Sequence, residues 1–111
     1  MDCIFCKIAA GEIPANEVYR DEAAVAFRDL NPQAPSHILV IPTRHIASLA
    51  DIAEVDADEA GRLLRVVAEV AADNITGGYR VVTNIGADAG QSVPHLHFHI
   101  LGGRPFGWPP G

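Results

Sequence analysis

The sequence predicts an α+β fold, with an antiparallel sheet covered by helix on one face. Three observations point to it. Short apolar or alternating stretches recur along the chain, as strands do. The turns between them are brief and rich in Gly, Pro and Asp. One long stretch alone, beginning at Asp56, repeats its apolar residues at helical spacing. Strands grouped in this way with one long helix suit a sheet that buries one face under that helix.

In chain order, residues 3–10 mix apolar and small residues and read as a short helix, stopped by Gly11 and Pro14. Glu17 to Arg20 and Ala23 to Arg28 read as two strands of a hairpin, with Asp21-Glu22 as the turn. Asn31 to Ser36, with two prolines, is a loop. His37 to Ile41 is a compact apolar strand ended by Pro42. Asp56 is placed to cap a helix, and Glu59, three residues on, completes a capping-box pattern. Ala60, Leu63, Leu64, Val67 and Ala71 follow at helical spacing. Val66 and Val70 widen the apolar surface beyond one stripe, and the surplus calls for either a broad core face or a second copy of the chain. Gly77-Gly78 closes this region, and Tyr79 to Ile85 is a strand. Gly86 to Gly90 is a loop, and the tail from Gly102 to Gly111 is too rich in proline for regular structure.

The chain has 111 residues, which fits one domain spanning 1–111. Its net charge of −6 makes it a poor non-specific partner for nucleic acid, so a nucleotide would need a local site. No apolar run approaches the roughly 18 residues of a membrane span, and the first residues lack the basic and apolar regions of a signal peptide. A cytoplasmic protein is the expectation.

Chemistry concentrates in His95-Leu96-His97-Phe98-His99-Ile100-Leu101, which holds three of the five histidines. Alternation with period two places His95, His97 and His99 on one face of a strand and Leu96, Phe98 and Ile100 on the other. A flexible metal-binding tract has no need of a large apolar residue in each gap. The run Gly90-Gln91-Ser92-Val93-Pro94 precedes it, Gly102-Gly103-Arg104 and Trp108-Pro109-Pro110-Gly111 follow it, and Asp29 to His37 lies far upstream. Together these stretches resemble the histidine triad (HIT) family, and within it the Hint branch of nucleoside phosphoramidases. The resemblance covers nearly the whole chain.

It implies five strands in an antiparallel sheet, one short N-terminal and one long helix, and a homodimer in which the Trp108 tail nears the partner's active site. It also implies cleavage of purine nucleoside 5′-phosphoramidates through a nucleotidyl-histidine intermediate. The implied nucleophile is His97, with His99 bonding a phosphate oxygen. The backbone carbonyl of His95 would fix the tautomer of His97. Ser92 would assist the leaving group, and His37 would lend positive charge near the phosphate. Asp29 would hold the ribose. Leu30, Phe5, Ile8 and Phe27 would line the base, although each also reads as ordinary core. Asn84 would contact phosphate or ribose, and the backbone N–H groups of Gly90 and Gln91 would meet phosphate oxygens. Imidazole suits this chemistry because it is largely neutral and still nucleophilic near pH 7. Positioning and charge stabilisation supply the rest, so no catalytic metal is required.

Cys3 and Cys6 form a Cys-x-x-Cys pair, which alone is ambiguous between redox, metal and coincidence. The βαβ context of a redox motif is absent. Some bacterial HIT proteins hold zinc on such a pair with two histidines, and the matching positions here are His45 and His95. A structural zinc on Cys3, Cys6, His45 and His95 is therefore expected. Two other functions stay open: hydrolysis of a dinucleoside polyphosphate or nucleotide sugar, and nucleotide binding without turnover. The stretch Pro105-Phe106-Gly107 before the tryptophan departs from the common animal pattern and leaves leaving-group preference open.

Overall fold

A computed structural model describes residues 3–111. The elements run α1 (Ile4–Ala9), β1 (Glu17–Arg20), β2 (Ala24–Arg28), β3 (Ser36–Pro42), α2 (Ala57–Asn74), β4 (Tyr79–Val82) and β5 (Phe98–Gly102), with two 3-10 turns, at Leu49–Glu54 and Ala87–Ala89. The five strands form one antiparallel sheet in the order β1-β2-β3-β5-β4. This is the expected α+β architecture. The chain leaves β3 through α2, reaches the far edge as β4, and returns as β5 into the gap between them.

β2 and β3 are apolar on both sides because both faces of the sheet are covered. Ala24, Ala26, Ile38, Val40, Leu96, Phe98 and Ile100 pack under α2 in the larger core. Val25, Phe27, Leu39 and Ile41 point the other way and pack with Cys3, Phe5 and Ile8 of the N-terminal segment. The period of two thus separates a structural face from a second face on which the histidines lie. α1 is short for a stable helix, but it is tied at both ends. Cys3 Sγ accepts from Cys6 N at 3.4 Å, and Arg20 of β1 donates to the Ile8 and Ala9 carbonyls at 3.0 and 2.8 Å.

α2 begins at the Asp56 cap, whose carboxylate accepts from Glu59 N at 2.8 Å. The Glu59 side chain does not complete the capping box; it pairs with Arg44 at 2.9 Å. Val66 and Val70 are buried against the chain's own sheet, 3% and 1% exposed, while Leu64 stays 57% exposed. The broad apolar surface of α2 is thus a wide core face, and Leu64 alone of the predicted stripe points outward. No helix among the described residues is long and apolar enough to cross a membrane.

Two strands are shorter than the sequence indicates. β4 ends at Val82, and the ladder of β5 with β3 starts only at Phe98, opposite Val40. Upstream, side chains replace ladder bonds: Thr83 Oγ1 donates to the His97 carbonyl at 2.8 Å, and the His95 carbonyl is taken by the His97 ring at 2.7 Å. Leu96 N donates to the Ile46 carbonyl, beyond the end of β3. The alternation of faces survives this, because Leu96 still packs under α2.

Ile38 is fully buried beneath α2. Ile38→Ala should cost about 2–5 kcal/mol, whereas Asp56→Ala, which removes only a cap, should cost about 1 kcal/mol. Urea unfolding of both variants checks the order, and equal losses would contradict the assignment of the main core.

Candidate functional site

A cavity of about 270 Å³ opens on the histidine face. Phe5, Ile8, Phe27 and Leu39 form its apolar wall, and Asp29, Leu30, Ser92, His97 and His99 lie on its polar side. The Phe5 ring stands edge-on to Phe27 at 5.7 Å and to His97 at 5.1 Å. Ile4 and Ile13 also line the cavity; neither carries a signal in its local pattern, whereas Leu39 of the apolar wall could have been found from its alternation with Ile38 on β3. Leu30 is 99% exposed and marks the rim, not the interior of the slot. A larger cleft of about 550 Å³ lies along the tail beside Arg80, Arg104 and Phe106, away from the histidines.

The hydrogen bonds assign the tautomers. A carbonyl only accepts, so the 2.7 Å contact between His97 Nδ1 and the His95 carbonyl puts a proton on Nδ1. In the neutral ring Nε2 is then a bare lone pair beside the cavity. His37 Nδ1 accepts from Gln33 N at 3.0 Å, so its proton sits on Nε2. That N–H donates to His99 Nδ1 at 2.9 Å. The His99 proton is therefore on Nε2. One ring presents a lone pair and its neighbour, 5.1 Å away between centroids, a donor.

Burial, with the nearby His97 and His37 rings, pulls His99 down to about 4. Burial also lowers His37, against the opposing pull of Asp29. Desolvation thus works against the positive charge expected on His37, with the nearby Asp29 carboxylate favouring it. Asp29 lies 3.5 Å from His37 Nε2 through Oδ2, and its Oδ1 accepts from Asn31 N at 2.8 Å. It closes a local Asx turn as well as facing the cavity.

Two other positions differ from expectation. The backbone N–H groups of Gly90 and Gln91 already donate to the Ala87 and Gly86 carbonyls, at 3.0 and 3.1 Å. The Gln91 side chain bridges Gly86, Ala47 and Val93. This loop is closed on itself and presents neither N–H to a phosphate, with Gly90 serving as its left-handed residue at φ 85°. Asn84 is half-buried past the end of β4 and is not among the residues lining the cavity.

Behind the site, Cys3, Cys6, His45 and His95 bring four donor atoms within 4.8 Å of one another. Cys3 Sγ is 3.4 Å from His95 Nδ1, and Cys6 Sγ is 3.2 Å from His45 Nδ1. The two Nδ1 atoms are 3.2 Å apart. His95 Nε2 donates to the Pro42 carbonyl at 3.0 Å, which leaves its Nδ1 unprotonated toward the cluster. Burial lowers His95 and raises Cys6, with Cys3 adding to the latter. The four residues can hold a metal ion.

A description of the HIT domain matches residues 10–106. An uncharacterised HIT-like protein of Synechocystis is 52% identical, over 99% of this chain and 97% of its own length. A 14 kDa zinc-binding protein of Zea mays is 50% identical, over 97% of this chain and 87% of its own. The crystal structure of a HIT family hydrolase from Legionella pneumophila superposes with a TM-score of 0.89 at 46% identity, covering 99% of this chain and 100% of that one.

The low value of His99 has a pH consequence. An ordinary histidine, as in the unfolded chain, titrates near 6.5. As pH falls, the unfolded chain takes up this proton first, so stability is full above about 6.5 and declines toward about 4. His99→Asn should make that decline shallower. Urea midpoints across this range measure it, and an unchanged slope would contradict a neutral, buried His99.

Proposed function

The chain belongs to the HIT family, and from that membership and the tautomers of its site we propose that it cleaves purine nucleoside 5′-phosphoramidates, with adenosine 5′-phosphoramidate as the model substrate. The observation that carries the reading is the His97 ring, with Nδ1 held by a carbonyl at 2.7 Å and Nε2 open to a cavity that also holds a neutral His99. The Nε2 lone pair attacks phosphorus, a P–N bond to the ring forms, and the bond to the amine breaks. The Ser92 hydroxyl, on the cavity wall, hydrogen-bonds the departing nitrogen and aids its protonation. His99 Nε2–H bonds a phosphoryl oxygen, where charge builds. Water then attacks the same phosphorus, the bond to His97 breaks, and the nucleoside monophosphate leaves. Phe5, Ile8 and Phe27 offer the base an apolar wall, and Asp29 offers its carboxylate to the ribose hydroxyls.

The cysteine–histidine cluster fits zinc. Zn–S of about 2.3 Å and Zn–N of about 2.0–2.1 Å in a tetrahedron give S···N edges of about 3.6 Å and an N···N edge of about 3.4 Å. The S···N contacts of 3.2, 3.4 and 3.5 Å and the N···N contact of 3.2 Å lie within a few tenths of these. With four protein donors, two buried (Cys3, His95) and two half-buried (Cys6, His45), the set is complete, so a zinc there would fix structure without entering the reaction. The Zea mays relative's description as zinc-binding supports the same ion.

A homodimer is part of the proposal. Edge strand β4 exposes Tyr79 and Val81, and the tail exposes Trp108 at 83%, all apolar surface suited to a second copy. A cytoplasmic location accords with the reduced cysteine pair that such a cluster needs.

His97→Ala should still bind AMP but lose hydrolysis of a fluorogenic AMP-amine by at least about a thousandfold. Turnover near wild type would remove His97 as nucleophile, and no turnover in the wild type would favour a binding module. Metal analysis should find one zinc per chain in the wild type and far less in Cys3→Ser. A wild type without zinc would overturn the metal assignment.

A further inference from the structure

The tail after β5 is fastened to the loop between β2 and β3. The two meet where Ser36 pairs with Gly102. Gly103 has φ +91°, and a Cβ there would come within 2.8 Å of Pro35 Cβ, so the tail backbone lies directly on that loop. Arg104 follows. Its guanidinium donates to the Gln33 carbonyl at 3.1 Å and to the Pro105 carbonyl at 3.1 Å. It also lies over the Phe106 ring at 4.3 Å. Arg80 of β4 faces the same ring at 5.2 Å and donates to the Gly107 carbonyl at 2.8 Å. One ring thus sits against two cations, an arrangement favoured by its quadrupole, and it steadies the arm that reaches Gln33.

Gln33 is also the residue whose N–H sets the histidine tautomers. That N–H donates to His37 Nδ1 at 3.0 Å, and His37 in turn donates to His99 Nδ1 at 2.9 Å. The carbonyl and the N–H of one exposed loop residue therefore link the tail to the buried pair. Without a fixed Gln33 N–H, only the longer 3.5 Å approach of Asp29 Oδ2 still favours the proton on His37 Nε2, and the other tautomer becomes accessible. His99 then loses the bond that keeps its own proton on Nε2.

We propose that Arg104, supported by Gly103 and Phe106, is a positioning residue that holds the Gln33 backbone so that its N–H fixes the tautomers of His37 and His99. The catalytic consequence, a donor kept on His99 Nε2 for a phosphoryl oxygen, rests on the phosphoramidase reading. The tautomers themselves are a property of the free protein.

The test is nitrogen-15 spectroscopy of histidine-labelled protein near neutral pH, with the His37 and His99 ring signals assigned. The wild type should show bare Nδ1 and protonated Nε2 on both rings. Arg104→Met keeps an apolar stem over Phe106 but removes the donor. It should shift both rings toward mixed tautomers and lower kcat about three- to tenfold with KM little changed, the range expected for loss of one hydrogen bond. Arg104→Lys, which retains a donor for Gln33, should restore the wild-type pattern. Phe106→Leu should shift the signals the same way by less, and it carries the test if Arg104→Met does not fold. Wild-type ring signals in Arg104→Met, or in Phe106→Leu where that variant stands in, would overturn the proposal. Fixed tautomers in a wild type that does not turn over AMP-amines would leave the positioning intact and defeat the phosphoramidase reading instead.

Discussion

The site depends on one short hydrogen bond, from His97 Nδ1 to the carbonyl of His95. A carbonyl cannot donate, so this contact decides which nitrogen of His97 carries the proton and which keeps a lone pair. The carbonyl is available because His95 and His97 lie outside the regular β3–β5 ladder. His95 is in turn held through both ring nitrogens, one on the Pro42 carbonyl and the other in the cysteine–histidine cluster. The cluster therefore lies two residues from the His97 ring, joined to it by the same residue. Its contribution is to the direction of a carbonyl.

A second feature is that burial works against positive charge on several of the histidine rings. The chain carries a net −6, yet the three rings on the buried face do not all draw on that field. Burial lowers His37, His95 and His99; the Asp29 carboxylate pulls the other way for His37 and His99, and the Pro42 carbonyl does so for His95. What His37 and His99 are arranged to offer is directed N–H bonds, fixed by the contacts of His37 with Gln33 and His99.

Most of the fold could be read from period alone. β2, β3 and α2 are repetitive enough that local spacing and burial agree, and the face assignment of Leu96, Phe98 and Ile100 follows from alternation. The histidines of the motif could be placed for the same reason. What escaped was set by contacts between residues far apart in the chain. Nothing near Thr83 indicates that its hydroxyl will replace a ladder bond to His97. Nothing in Gly90-Gln91 shows that both N–H groups will turn back onto Gly86 and Ala87. The width of α2 was ambiguous because a helical pattern shows how broad an apolar face is, and not whether the chain's own sheet is broad enough to cover it. Ile4 and Ile13 reach the cavity through the seating of α1, which depends on Arg20, a residue in another element.

The smaller of the two cores has a further meaning for how such a protein can diversify. Phe5, Ile8, Phe27 and Leu39 are at once the wall of the cavity and the packing that keeps α1 on the sheet. α1 also carries Cys6 and is capped by Cys3. A mutation that enlarges the cavity therefore loosens the segment that brings the thiols to His45 and His95. The shape of the cavity and the geometry of the cysteine–histidine cluster are bound together by shared atoms, so neither can be altered without disturbing the other.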